Sequence, residues 1–172
     1  MIHSPPMVEL DFLKHVPIFK GLPGPSLLEL QSIITEESYP RGTDIIKDGD
    51  KGESMFVLLD GEVSISKNLT MLPSDTDRKD KVLFRMSSES FAVFGEMALF
   101  EKISERTATV TATRDCKVGV IQKQDFLAIA TRSHELGYIV FRNISEILSE
   151  RLKKANKDIL KLTTALSLAL DE

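Results

Sequence analysis

Hydrophobic and polar positions divide the chain into three stretches of different period. Leu10, Phe12, Leu13, Val16, Ile18 and Phe19 form a short apolar helix or turn interrupted by Pro17, and residues 1–9 read as a loose tail. "GPSLLELQSII" places Pro25 at a first helical position after Gly24. Leu27, Leu28, Leu30, Ile33 and Ile34 then keep helical spacing. From Glu36 the period changes. Glycines at 42, 49, 52 and 61 separate short β-branched or aromatic runs, and Asp48-Gly49 and Asp60-Gly61 are turn signals. Phe56–Leu59 and Val63–Ile65 read as paired strands. Val82–Met86, Arg106–Ala112 and Lys117–Gln122 complete the set, with Asn68–Lys81 as the polar loop at a hairpin tip. After Gln122 the pattern is helical: "KQDFLAIATRS", an N-cap at Ser133, then no Gly or Pro from Tyr138 onward. The last helix would reach roughly 50 Å at 1.5 Å per residue.

This order predicts an α+β, mainly β fold in one domain over 10–172. N-terminal helices occupy 10–35, a β-barrel or sandwich 36–122, and C-terminal helices 123–172. A length of 172 residues suits one core, and the 42% hydrophobic and 28% charged fractions are those of a globular protein. A net charge of −4 gives no basic footprint for nucleic acid, so any anion must be held by a local arrangement. Cys116 is alone and the N-terminus carries no signal-peptide pattern. No apolar run is long enough to span a bilayer. The expectation is a cytoplasmic protein with no membrane and no nucleic-acid partner.

The chemistry concentrates in "FGEMALFEKISERTATV", residues 94–110. Gly95 lets the backbone approach a ligand closely. Met97–Phe100 suit one helical turn, whose first N–H groups lack internal partners and favour a phosphate. Arg106 supplies a fixed fork of donors, and Glu96 is an acceptor for a hydroxyl. Together they suit a ligand with phosphate and hydroxyl a few ångströms apart. The competing reading is an internal Glu96–Arg106 ion pair tying a loop to a strand.

"FGEMALFEKISERTATVTA" resembles the phosphate-binding cassette of cyclic-nucleotide-binding domains. Its loop length and Glu105-Arg106 pair are similar to the catabolite activator branch rather than to kinase regulatory subunits. "RGTDIIKDGD" and "MFVLLDGEVSI" resemble that family's turn glycines and core strands, and the likeness runs from about Leu10 to Leu152. The resemblance implies a β-roll, a double-stranded jelly-roll barrel, binding cAMP or cGMP with no further cofactor. It implies that Arg106 pairs with the cyclic phosphate, that the Met97 and Ala98 backbone donates to it, and that Glu96 accepts the ribose 2′-hydroxyl. Thr107 would contact phosphate or purine, which leaves the choice of base open. Leu83 and Met86 would line the base pocket, and Asn156 would reach a purine edge from the last helix. The chain departs from the pattern at "SSESFAVFGE", which lacks the usual glycine a few residues before Phe94 and leaves the position of Phe91 open.

Other chemistry is poorly represented. His3, His15 and His134 all lie outside the predicted barrel, against a metal site on its strands. Cys116 has no base beside it, and no nucleophile-base arrangement points to an enzyme. Leu152, Ala155, Ile159, Leu162, Leu166 and Ala169 form an a/d seam suited to a parallel homodimer, the competing reading being a helix packed on its own barrel. With the sequence running to Glu172, the expectation is that no helix-turn-helix follows the last helix. The expected function is a stand-alone cyclic-nucleotide receptor whose C-terminal helices move to regulate a protein effector. The alternative is a dimeric β-roll scaffold that has lost its ligand.

Overall fold

The computed structural model describes residues 8–68, 80–100 and 105–170. The N-terminal part is helical: α1 (Leu10–His15), a 3₁₀ turn at Pro17–Phe19, and α2 (Gly24–Ser32). Among the described residues eight strands follow: β1 (Ile34–Tyr39), β2 (Asp44–Ile46), β3 (Ser54–Asp60), β4 (Glu62–Asn68), β5 (Asp80–Ser87), β6 (Val93–Phe94), β7 (Thr109–Ala112) and β8 (Cys116–Gln122). The chain returns to helix in α3 (Lys123–Arg132) and α4 (His134–Leu170).

The strands form two four-stranded sheets, β1-β8-β3-β6 and β2-β7-β4-β5, with every pairing antiparallel. Phe56, Leu58, Val118 and Val120 from the first sheet meet Ile46, Val63, Ile65 and Val110 from the second in one buried cluster. Strand alternation sends Met55, Val57 and Ile121 the other way, onto Leu13, Phe19, Leu30, Phe126 and Val140 of the helices. β3 is thus buried on both faces, and this is why it reads as an uninterrupted apolar run.

Three local expectations change. Ile33 and Ile34 do not extend α2: the helix ends at Ser32, Leu28 is exposed, and Ile34 opens β1 opposite Ile121. Six residues of ladder with β8, starting from β-branched side chains, win over the helical spacing. The two runs flanking Asp60-Gly61 are not partners either. β3 pairs with β8 and β6, while β4 pairs with β5 and β7, so the turn carries the chain from one sheet to the other. Gly61 sits there at φ +98°, where an added Cβ would fall 2.5 Å from the Asp115 carbonyl oxygen and 2.7 Å from Cys116 Sγ. Finally, β5 runs from Asp80 to Ser87 and takes in the end of the expected hairpin loop, of which 69–79 lie outside the described residues.

Val8, read as part of a loose tail, is buried, and its carbonyl accepts a hydrogen bond from Gln31 Nε2 at 2.6 Å. The long helix is anchored at its N-terminal half. Leu136, Val140 and Ile144 enter the helical core, and the buried Asn143 side chain donates to the Ile18 and Lys20 carbonyls at 3.1 and 2.8 Å. From Arg151 to Leu170 every residue of α4 is exposed. Phe91, after a 3₁₀ turn at Ser88–Ser90, has φ +50° and ψ +44°. Among the described residues it is the non-glycine with positive φ. For a bulky residue this costs about 1–3 kcal/mol, which surrounding packing must offset.

Candidate functional site

The cassette is built around one arginine. Arg106 lies just before β7 in a segment already paired to a turn: its N–H donates to the Asp50 carbonyl at 2.7 Å, and its own carbonyl accepts from Gly49 N–H at 2.8 Å. The side chain is 8% exposed. Nη2 donates to the Ser54 carbonyl at 2.8 Å and to Ser54 Oγ at 3.2 Å, Nη1 donates to the Gly95 carbonyl at 3.4 Å, and Cζ lies 5.8 Å from the Phe56 ring centroid. Two glycines leave the space it occupies. A Cβ on Gly52 would fall 2.5 Å from Nε, and one on Gly95 would fall 2.9 Å from Nη1. Gly95 has φ +73° and leads directly into the single 3₁₀ turn Glu96–Leu99. In that turn the Ala98 N–H donates to the Gly95 carbonyl at 3.1 Å.

Glu96 is 4% exposed, and its carboxylate pairs with the Arg151 guanidinium of α4. The acid therefore has a structural partner, and that partner belongs to the long helix. The segment after Arg106 is fixed from the other side. Lys67 Nζ donates to the Thr107 carbonyl at 3.0 Å and to Asp48 Oδ1 at 2.7 Å.

Arg106, Glu96 and Arg151 lie on the wall of a cavity of about 270 Å³. The structure brings Gly95, Glu96, Met97, Ala98, Arg106 and Thr107 to its wall, together with Leu83 and Met86 of β5. Leu83, Phe84 and Met97 are between 42% and 54% exposed, so the mouth is an apolar lip facing solvent. Asn156 is not in the wall. It is exposed on α4 beyond Arg151, which is the helix residue that lines the cavity. Gly52, Ser54, Lys67 and Arg151 are the participants that sequence reasoning missed. Gly52 lies in the same turn-rich stretch as Gly49, and Arg151 directly precedes Leu152, where the apolar seam begins; these are the signals the sequence offered.

Other ionisable groups stand apart from this cavity. The Cys116 thiol is pushed above its ordinary range by burial, although the Glu62 and Arg114 carbonyls accept its hydrogen bonds at 3.2 Å. Tyr39 is pushed up to about 12 by burial and then by the Glu37 carboxylate, which its hydroxyl bonds. Among the described residues no group of three His, Cys, Asp or Glu is arranged to hold a metal, and no helix is long and apolar enough to cross a membrane.

A family model described as "Cyclic nucleotide-binding domain" matches residues 36–133, more than half of the chain. The chain belongs to the cyclic nucleotide-binding domain family. The matched span contains both sheets from within β1 onward, the whole described cassette and α3.

A cAMP-dependent protein kinase regulatory subunit from Eremothecium gossypii is 32% identical over 116 residues, covering 67% of this chain and 22% of that protein. The Thermus thermophilus catabolite activator protein structure superposes with a TM-score of 0.70 at 26% identity, covering 86% of this chain and 63% of the other. A cyclic nucleotide-binding domain from Methylobacillus flagellatus gives a TM-score of 0.71 at 20% identity, covering 88% and 80%, a likeness of fold. The chain thus spans less than two thirds of the length of the first two of these relatives. The two sheets with flanking helices are the α+β, mainly β fold expected from the strand pattern, in the β-roll form that the family resemblance implied.

Proposed function

We propose that this chain is a receptor for cAMP or cGMP, and that ligand binding repositions the C-terminal helix to regulate a protein effector. The observation that carries the reading is the pairing of Glu96 with Arg151. Glu96 is the group that would accept the ribose 2′-hydroxyl, with Arg106, Gly95 and the Met97–Ala98 backbone around the cyclic phosphate. A nucleotide at Glu96 enters the same contact that ties α4 to the cassette. Occupancy and helix attachment therefore share one carboxylate.

Leu83 and Met86 would flank the base, Thr107 would meet phosphate or purine, and Asn156 would come into reach if α4 closes over the lip. The ligand shifts the helix only by its affinity difference between the two positions, a coupling of about 1–3 kcal/mol. Exposed Leu152, Ile159, Leu162 and Leu166 on one stripe of α4 support a parallel homodimer through this helix. The role is regulatory rather than catalytic, in the cytoplasm, with no further cofactor and with neither nucleic acid nor membrane as partner.

The test is calorimetric titration of the intact chain with cAMP and with cGMP. Binding of either below millimolar is expected. If neither binds, the β-roll acts as a ligand-free dimeric scaffold instead.

A further inference from the structure

We propose that Phe91 is a positioning residue for the cassette, held in its left-handed turn by helix α1, so that the N-terminal helices set the affinity of the ligand site. The proposal rests on the receptor reading for its ligand but not for its mechanics.

The turn at Phe91 decides where the cassette begins. Its N–H donates to the Ser88 carbonyl at 2.9 Å, closing the 3₁₀ turn, and the next carbonyl, of Ala92, accepts from Leu58 N–H at 2.9 Å. Val93 and Phe94 then pair with Val57 and Phe56 of β3. The following residue is Gly95, whose carbonyl receives Arg106, and after it comes Glu96. A change of direction at Phe91 would therefore be passed along two paired residues into the site.

A phenylalanine has no intrinsic reason to stay at φ +50°, so something must hold it. The ring is held by α1. Its centroid lies 5.2 Å from that of Phe12, with the planes tilted by 56°, and 5.3 Å from that of His15, nearly parallel at 21°. Helix α1 is seated in turn by Leu13 and by Val16 just after its end, both fully buried. The turn that follows it is bonded to α4 through Asn143. A connection between site and long helix thus runs through Phe91, α1, residues 18–20 and Asn143, separate from the Glu96–Arg151 pair.

The experiment compares Phe12→Ala, Phe91→Gly and the double variant in the full chain. Glycine accepts positive φ without being held. Phe12→Ala should weaken cyclic-nucleotide binding about tenfold, equivalent to about 1.4 kcal/mol. Phe91→Gly should lose less affinity than Phe12→Ala, and the double variant should bind like Phe91→Gly alone, because the ring on which Phe12 acts is gone. In ligand-free protein, hydrogen exchange of the Leu58 amide should quicken in Phe12→Ala and match the rate of Phe91→Gly in the double variant. Phe12→Leu, which keeps the apolar bulk that docks α1, makes the same comparison if Phe12→Ala does not fold. Wild-type exchange in the Phe12 variant, or a double variant no better than Phe12→Ala, overturns the proposal. If the wild type binds neither nucleotide, the receptor reading fails, while the exchange rates still decide whether Phe12 holds the turn.

Discussion

Arg151 and Glu96 stand 55 residues apart in sequence and meet as an ion pair at the edge of the cavity. The carboxylate is almost fully buried, whereas the arginine side chain is 42% exposed. The pair therefore joins an interior group to the outer face of a long helix. Arg151→Met should cost about 1–2 kcal/mol of folding stability, less than for a fully buried pair because water shares the arginine. Glu96→Gln combined with it should cost less than the two single changes added together. Urea denaturation of the three variants measures this, and strict additivity would refute an energetic link between them.

Arg106→Ala should lower cyclic-nucleotide affinity by hundreds-fold, about 3–5 kcal/mol, through an uncompensated anion. Arg106→Lys should recover only part of this, since an ammonium cannot reproduce the forked contacts to Ser54 and Gly95. Calorimetry gives the affinities, and circular dichroism checks that both variants fold. Equal affinity for the Lys variant and the wild type would remove the geometric part of the claim.

Gly52→Ala should damage the site more than the fold. The new methyl group would lie 2.5 to 2.9 Å from three atoms of the Arg106 guanidinium end and must displace them. A loss of about tenfold or more in affinity is expected, in the range of a displaced binding group. The control is Gly24→Ala, where the added carbon meets nothing within 4 Å and binding should be unchanged. Identical affinities for the two variants would show that Gly52 does not set the position of Arg106.

The seam on α4 predicts oligomeric state. A chain truncated after Lys154 loses Ile159, Leu162 and Leu166 and should sediment as a monomer at concentrations where the intact chain is a dimer. Unchanged dimer in the truncated chain would place the interface elsewhere.

Tyr39 predicts an alkaline transition. Its folded value is pushed up from 10.0 to about 12, so between these limits the unfolded chain gives up the phenolic proton first. The stability it contributes is present below pH 10 and is lost as pH rises towards about 12. Denaturant midpoints measured across that window should fall less in Tyr39→Phe than in the wild type.

Much of this was legible in the sequence where local chemistry decides. Gly95, the short turn after it and an arginine close to the start of a strand are features of neighbouring residues, although that strand begins at Thr109 and not, as its pattern predicts, at Arg106. Legibility fails where the decision is made across space. Ile33 and Ile34 fit a helix by spacing, and only the ladder opposite Ile121 makes Ile34 a strand residue. Gly61 looks like a hairpin turn, and only the packing of Asp115 and Cys116 against it explains a crossing between sheets. The helix seam identifies a face of α4 but not the turn of that helix that meets the cassette. In the structure Arg151 lines the cavity, and Asn156 lies more than one turn farther along α4.

The exposed half of α4 has a mechanical consequence. Beyond Arg151 every described residue of the helix is exposed, and these residues extend about 28 Å at the rise of a regular helix. It is a lever arm with its fulcrum beside the cavity. A tilt of about ten degrees at the fulcrum carries the far end through roughly 5 Å, about one helical turn. On the receptor reading, a displacement at Glu96 too small to reshape the sheets would be magnified into a movement the size of a side chain at the distal end.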